Sequence, residues 1–159
     1  YTGEKYQRLL VNLLCLLDPL TLKGVGKACR LLALKPKYLQ VFVEELPVAR
    51  KALTVAERTL VRHPEAPASQ VYRWFDGLSL EVLLYLVAKA GNEESRRCLS
   101  HFVTHLRQVK IMLDGNDLKQ LGVQPGPKYQ SIFQQVLDAR LNGQVSTRQG
   151  EIDLVRQLL

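Results

Sequence analysis

Two runs of this chain carry cations with no acid among them. Lys23, Lys27 and Arg30 stand at i, i+4 and i+7, which lines them along one face of a helix. Lys35 and Lys37 follow, and no acid occurs between Asp18 and Glu44. Ser95 to Leu113 is a second acid-free stretch, holding Arg96, Arg97, His101, His105, Arg107 and Lys110. Such cations suit a polyanion, because they track phosphates and release counterions. A merely solvated helix face is the alternative, although it usually carries acids as well.

A third set lies between Asp114 and Tyr129. Gly126 permits close backbone approach and Pro127 presets the first turn of a helix. The N–H groups of Gly126, Lys128 and Tyr129 are expected to surround the positive end of that helix dipole. Lys128 adds a full charge there, and Lys119 lies just upstream. This is an anion site by construction, with a helix–helix turn that only packs as the alternative. Asp114 and Asp117 resemble paired catalytic acids, yet they sit where a turn and a helix start favour carboxylates.

The remaining candidates for chemistry fall short of a motif. His101 and His105 share a helical spacing that grips metals, but no Glu follows His101 and no third ligand is near. Gly24-Val-Gly-Lys27 is no phosphate loop: the upstream glycine falls on Thr21, and Ala28 replaces the magnesium-binding hydroxyl. The same residues are similar to a helix-hairpin-helix motif, except that Arg30 stands where a small residue belongs. A glycine-containing helix start is the better reading. No catalytic triad or Cys/His pair can be assembled, so neither a catalytic nor a metal-binding residue is assigned.

The elements that must hold these groups are helices. Nearly every segment has a period near 3.6 and none alternates, so the expected fold is all-α. Helices are expected over Glu4–Leu17, over Thr21–Ala33 with Leu22, Val25, Cys29 and Leu32 buried, and from Pro36 to about Glu45. Pro47–Arg62 reads as one or two more. After a break at His63–Pro67 come Ala68–Asp76, Leu80–Ala90 capped by Ser79, and a helix from Asn92 to about Lys110. Asn116 is expected to cap a short helix to Leu121, with Gly122 left-handed at its end. Pro127 opens a helix placing Tyr129, Ile132, Phe133, Val136, Leu137 and Leu141 on one face. Ser146 and Gln149 fit a capping box for the last helix. This organisation divides the chain into a helical body, 1–110, and a helical tail, 111–159.

The formal charge is +7, with 47% apolar residues, as in an ordinary globular protein with an anionic partner. Residues 1–113 hold 17 Lys/Arg against 10 Asp/Glu, whereas 114–159 hold five of each, so the excess lies upstream of the corner. Cys15, Cys29 and Cys98 are odd in number and far apart, which reads as buried reduced thiols in a cytoplasmic protein. Leu9–Leu17 is too short and interrupted for a membrane span. The first residue is Tyr1, which implies a piece of something longer.

The order Leu113-Asp-Gly-Asn-Asp-Leu-x-x-Leu-Gly-x-x-Pro-Gly-Pro-x-Tyr129, continuing into Val136-Leu-Asp-Ala-Arg-Leu-Asn-Gly-x-Val145 and Thr147-Arg148, resembles the tail of bacterial class II tRNA nucleotidyltransferases. These are the CCA-adding and A-adding enzymes grouped with poly(A) polymerases. Upstream, Pro67-Ala-Ser-Gln-Val-Tyr-Arg-Trp-Phe-Asp-Gly-Leu-Ser-Leu-Glu-Val-Leu-Leu-Tyr-Leu-Val-Ala-Lys89 is similar to the same family's body. The resemblance implies a body-plus-tail fragment that grips tRNA at its elbow. Catalysis, with magnesium and ATP or CTP, would then belong to a head that this chain lacks, for no Asp-x-Asp or Arg-Arg-Asp occurs in it. Lys23, Lys27, Arg30, Arg96, Arg97, Lys119, Gly126, Lys128 and Tyr129 are the expected RNA contacts. The alternative is a helical protein-interaction module, since Asp-Leu-x-x-Leu-Gly-Val before a glycine turn also resembles sterile-alpha-motif domains.

Overall fold

The structure, a computed structural model, describes residues 6–159. The start of the first expected helix, Glu4 and Lys5, lies outside them. The described chain is all-α, with no strand among the described residues. Its helices are α1 (Arg8–Leu17), α2 (Leu22–Leu31), α3 (Pro36–Gln40), α4 (Leu46–Arg62), α5 (Ala68–Phe75), α6 (Leu80–Lys89), α7 (Glu93–Thr104), α8 (Gly115–Gln120), α9 (Pro127–Leu141) and α10 (Arg148–Leu158).

No break occurs at Pro47. A single wide π-turn, Val41–Glu45, joins α3 to α4, and the Leu46 N–H reaches the Val41 carbonyl five residues back. Proline lacks an N–H and its ring crowds the carbonyl four residues earlier, so widening the turn lets the helix continue. The helix from Pro36 to Arg62 is thus one rod with an internal bulge.

The apolar interior falls into two clusters. The larger gathers Leu10, Leu13, Leu14, Phe42, Leu46, Ala49, Phe75, Leu83, Leu86 and Phe102 from α1 to α7. The smaller gathers Leu113, Leu118, Val123, Ile132, Val136 and Val155 from α8 to α10. The apolar residues of α9 do not share one destination. Ile132 and Val136 belong to the small cluster, while Leu141 is buried in the large one with Leu137 against it. This helix therefore carries the tail and anchors it.

Polar ties strengthen that anchor. Asn142 accepts from the Ser69 N–H at 3.0 Å and donates to the Ser69 hydroxyl at 3.1 Å. Arg73 forms an ion pair with Asp138 one turn away on α9. The two stretches that carry the family resemblance thus meet each other through α5 and α9.

Several local expectations shift. Leu22 and Leu32, expected inside, are 56% and 55% exposed, leaving Val25 and Cys29 as the buried face of α2. The C-terminus of α2 closes through Ala33 in the left-handed region, φ +48°, with the Leu34 N–H on the Cys29 carbonyl. Of the thiols expected to be buried, Cys15 is exposed, Cys29 is buried and Cys98 is half-buried; none forms a disulfide. Burial pushes the Cys98 thiol up to about 11, which makes it a poor nucleophile. No helix of the described residues is long and apolar enough to cross a membrane.

Candidate nucleic-acid interface

The corner is built by local hydrogen bonding. Asp114, not Asn116, caps α8: its carboxylate accepts from the N–H groups of Asn116 at 2.8 Å and Asp117 at 3.1 Å. Asp117 returns the contact by accepting the Asp114 N–H at 3.0 Å, a reciprocal capping box. Both acids are structural, as their positions implied. Gly122 takes the left-handed turn expected of it, φ +82°, which lets the Val123 N–H reach the Leu118 carbonyl. Pro127 then occupies the first turn of α9.

The donors of the corner differ from expectation in one respect. The Tyr129 N–H bonds the Gly126 carbonyl at 2.9 Å, so Gly126 and Lys128 supply the N–H groups the corner can present. The Tyr129 hydroxyl donates to the Val123 carbonyl at 3.1 Å, and its ring packs edge-on against Phe133. This residue closes the corner from inside. Gly126 is extended, and a side chain there would meet no atom within 4 Å, so the backbone at the turn faces open space. Lys119 and Lys128 are exposed beside it.

The tail is locked by two acids. Asp117 pairs with Arg148 at 2.5 Å, tying α8 to α10. Hydrogen bonding to Arg148, followed by the Asp114 N–H, holds the Asp117 carboxyl below the usual carboxylate pKa. Glu151 is fully buried and accepts from the Met112 N–H at 2.8 Å, the Leu113 N–H at 3.1 Å and the Arg140 guanidinium at 2.5 Å. Thr147, not Ser146, caps α10, accepting the Gly150 N–H at 3.1 Å.

In the body, Asp18 at the end of α1 meets Arg50 of α4 and Lys89 and Tyr85 of α6. Burial alone would raise the Asp18 carboxyl, but hydrogen bonds from Lys89 and Tyr85 and the Arg50 charge outweigh it and hold it below the ordinary value. Sequence reasoning missed this cluster and Glu151. The partners of Asp18 lie 32 to 71 positions away, and no local pattern marks them.

Other acids are committed in the same way. Glu45 accepts the Ser79 N–H at 2.5 Å, Glu57 that of Gly91 at 2.7 Å, and Glu81 that of Gln7 at 2.8 Å. Glu45 serves the Ser79 N–H, and the buried Ser79 hydroxyl makes no cap, contrary to expectation. Asn92 does cap α7, through the Ser95 N–H at 2.8 Å.

The cations stand in three groups. Lys23, Lys27 and Arg30 are exposed along α2 and have no ion-pair partner among the described residues. Gly24 to Lys27 lies within this helix, capped by Thr21, so the phosphate-loop likeness has no structural counterpart. Arg96 and Arg97 on α7 share Glu93, at 3.1 and 3.3 Å. Lys119 and Lys128 form the third group. His101 and His105 stack face to face, their centroids 4.9 Å apart. No group of three or more His, Cys, Asp or Glu among the described residues could hold a metal ion.

The fold and its surface define the class first: an all-α chain in which Asp18, Asp117, Asp138 and Glu151 are held by partners on other helices, while Lys23, Lys27, Arg30, Lys119 and Lys128 face solvent. Over 158 residues, 99% of its length, the chain is 37% identical to the A-adding tRNA nucleotidyltransferase of Geobacter sulfurreducens, the enzyme to which it is similar. It spans 18% of that relative's length. No family model and no solved structure matches it.

Proposed function

We propose that this chain is the tRNA-gripping C-terminal part of a cytoplasmic nucleotidyltransferase that adds nucleotides to RNA 3′ ends. Chemistry, with magnesium and ATP or CTP, resides in a head and neck of the same polypeptide. The observation that carries this reading is the division of charge. Asp18, Glu45, Glu57, Glu81, Asp114, Asp117, Asp138 and Glu151 are engaged by backbone N–H groups or internal cations, while Lys23, Lys27, Arg30, Lys119 and Lys128 point unpaired at solvent. A surface of that kind attracts a polyanion, and the related enzyme is named for tRNA. Folded RNA is recognised mainly through its phosphates and 2′-hydroxyls, so shape is read more than sequence.

The test is tRNA binding by this chain over a range of salt. Affinity falls steeply as salt rises, and Lys128→Glu weakens it by about tenfold, as expected for reversing one phosphate contact. Equal affinity for tRNA and for an unstructured RNA of matched length would overturn shape reading. Self-association without RNA binding would favour the protein-interaction alternative.

A further inference from the structure

Where α4 ends and α5 begins, the chain leaves a pocket of about 400 Å³. Leu60, Val71 and Leu106, each nearly inaccessible, form its floor, and Ala66 and Ala68 its wall. Glu94, Arg97 and His101 line the same pocket from the exposed face of α7. The His101 ring is at once a wall of the pocket and half of the two-ring stack with His105. Glu94 has no hydrogen-bond partner among the described residues, and Arg97, 80% exposed, shares only the exposed Glu93.

From this juxtaposition we infer that the pocket takes one unstacked nucleobase of the bound RNA, an inference that rests on the RNA-gripping reading. The apolar floor excludes water from the base faces, and the His101 ring offers a plane that extends the stack. Single-stranded bases are commonly held this way, on aromatic side chains with a cation on the adjoining phosphate. Arg97 is placed for that phosphate. Glu94 can only accept hydrogen bonds when ionised, so it favours a base with an exocyclic amino group, such as cytosine, over uracil, whose one edge donor lies between two carbonyl oxygens.

The experiment titrates the 159-residue chain with CMP, UMP and ribose 5-phosphate, following backbone amides by heteronuclear NMR. CMP shifts the amides of Ala68, Arg97, Cys98 and His101 in a saturable manner, with a Kd of about 1–10 mM. UMP binds about tenfold more weakly, the factor expected for one lost charge-assisted hydrogen bond, and ribose 5-phosphate leaves the pocket amides unmoved. Glu94→Gln removes the preference for CMP over UMP without altering the remaining spectrum. Ala66→Phe fills the pocket and abolishes the shifts, and unchanged amides of Leu83 and Leu86 in the large cluster, which the pocket borders, report an intact fold. Shifts that are equal for CMP and ribose 5-phosphate, or that are absent while the chain binds tRNA, overturn the pocket and leave the grip standing. Saturable CMP shifts in a chain that does not bind tRNA overturn the grip, and with it the reading of the pocket as a site for a base of bound RNA.

Discussion

Glu151 is the residue whose loss the structure prices most sharply. Its carboxylate is buried among three donors, two from backbone that links the clusters and one from Arg140 on α9. In Glu151→Ala the Leu113 N–H loses its acceptor in a buried site, at about 1–3 kcal/mol. The Arg140 guanidinium, 17% exposed, also loses its counter-charge. Together these amount to about 3–5 kcal/mol, the usual cost of breaking a buried pair from one side. The Met112 N–H adds little, because it lies near the surface where water replaces the carboxylate. Glu151→Gln keeps an oxygen for the backbone but turns an N–H₂ toward Arg140, and costs about 2 kcal/mol. Arg140→Met combined with Glu151→Gln costs less than the two singles summed, since a neutral amide tolerates the missing cation. Urea unfolding followed by circular dichroism gives the totals, and native-state hydrogen exchange locates them. Protection of the Leu118 and Val136 amides drops first, while Leu83 and Leu86 in the large cluster keep theirs. Loss below about 1 kcal/mol for Glu151→Ala, or strict additivity in the double variant, would refute the reasoning.

Three other contacts have measurable consequences. Asp18 has a folded pKa below the ordinary 3.8, so its contribution is full above that value and is lost as pH falls through the folded one. Asp18→Asn is therefore less stable than the parent at pH 7 and matches it near pH 2, as acid-unfolding curves will show. Ala33→Gly relieves a left-handed side-chain clash at the end of α2 and raises stability by about 0.5–1 kcal/mol, measured as a higher urea midpoint. Asn142→Ala with Asp138→Ala removes the polar ties between α5 and α9. Affinity for folded tRNA then falls while affinity for an unstructured RNA of the same length holds, in parallel filter-binding titrations.

Periodicity made the helices legible because each buries a face against neighbours, and burial imposes the 3.6 repeat. Gly122 and Pro127 were readable because their backbone requirements are local. The caps slipped by one or two residues, Asn116 to Asp114 and Ser146 to Thr147, since several polar side chains there can cap and only geometry decides. Pro47 misled for a different reason: a π-turn satisfies the backbone that proline disturbs, and no residue type announces it. Leu22 and Leu32 fit the apolar repeat of α2 yet lie outside, because a repeat says which residues share a face and not whether anything covers it. Cations could be named from composition, but their freedom could not, since it depends on which acids are taken elsewhere.

The freedom of the cations also bears on why the two motif stretches belong together. A row of free cations alone binds any polyanion, folded or not, through released counterions. Reading a shape requires cations held at fixed separations, so that a rigid ligand satisfies several at once without further ordering of the protein. Arg96 and Arg97 ride on α7, packed into the large cluster, whereas Lys119 and Lys128 ride on the small one. The separation between these groups is set by α9, whose Leu141 is buried in the body and whose Val136 is buried in the tail. Ser69 with Asn142, and Arg73 with Asp138, fix the rotation of that helix against α5. Ser69, Arg73, Asp138 and Asn142, all within the stretches that carry the family resemblance, thus stand between the two cation groups. They keep those groups at a constant distance, as the proposed recognition of a folded RNA requires.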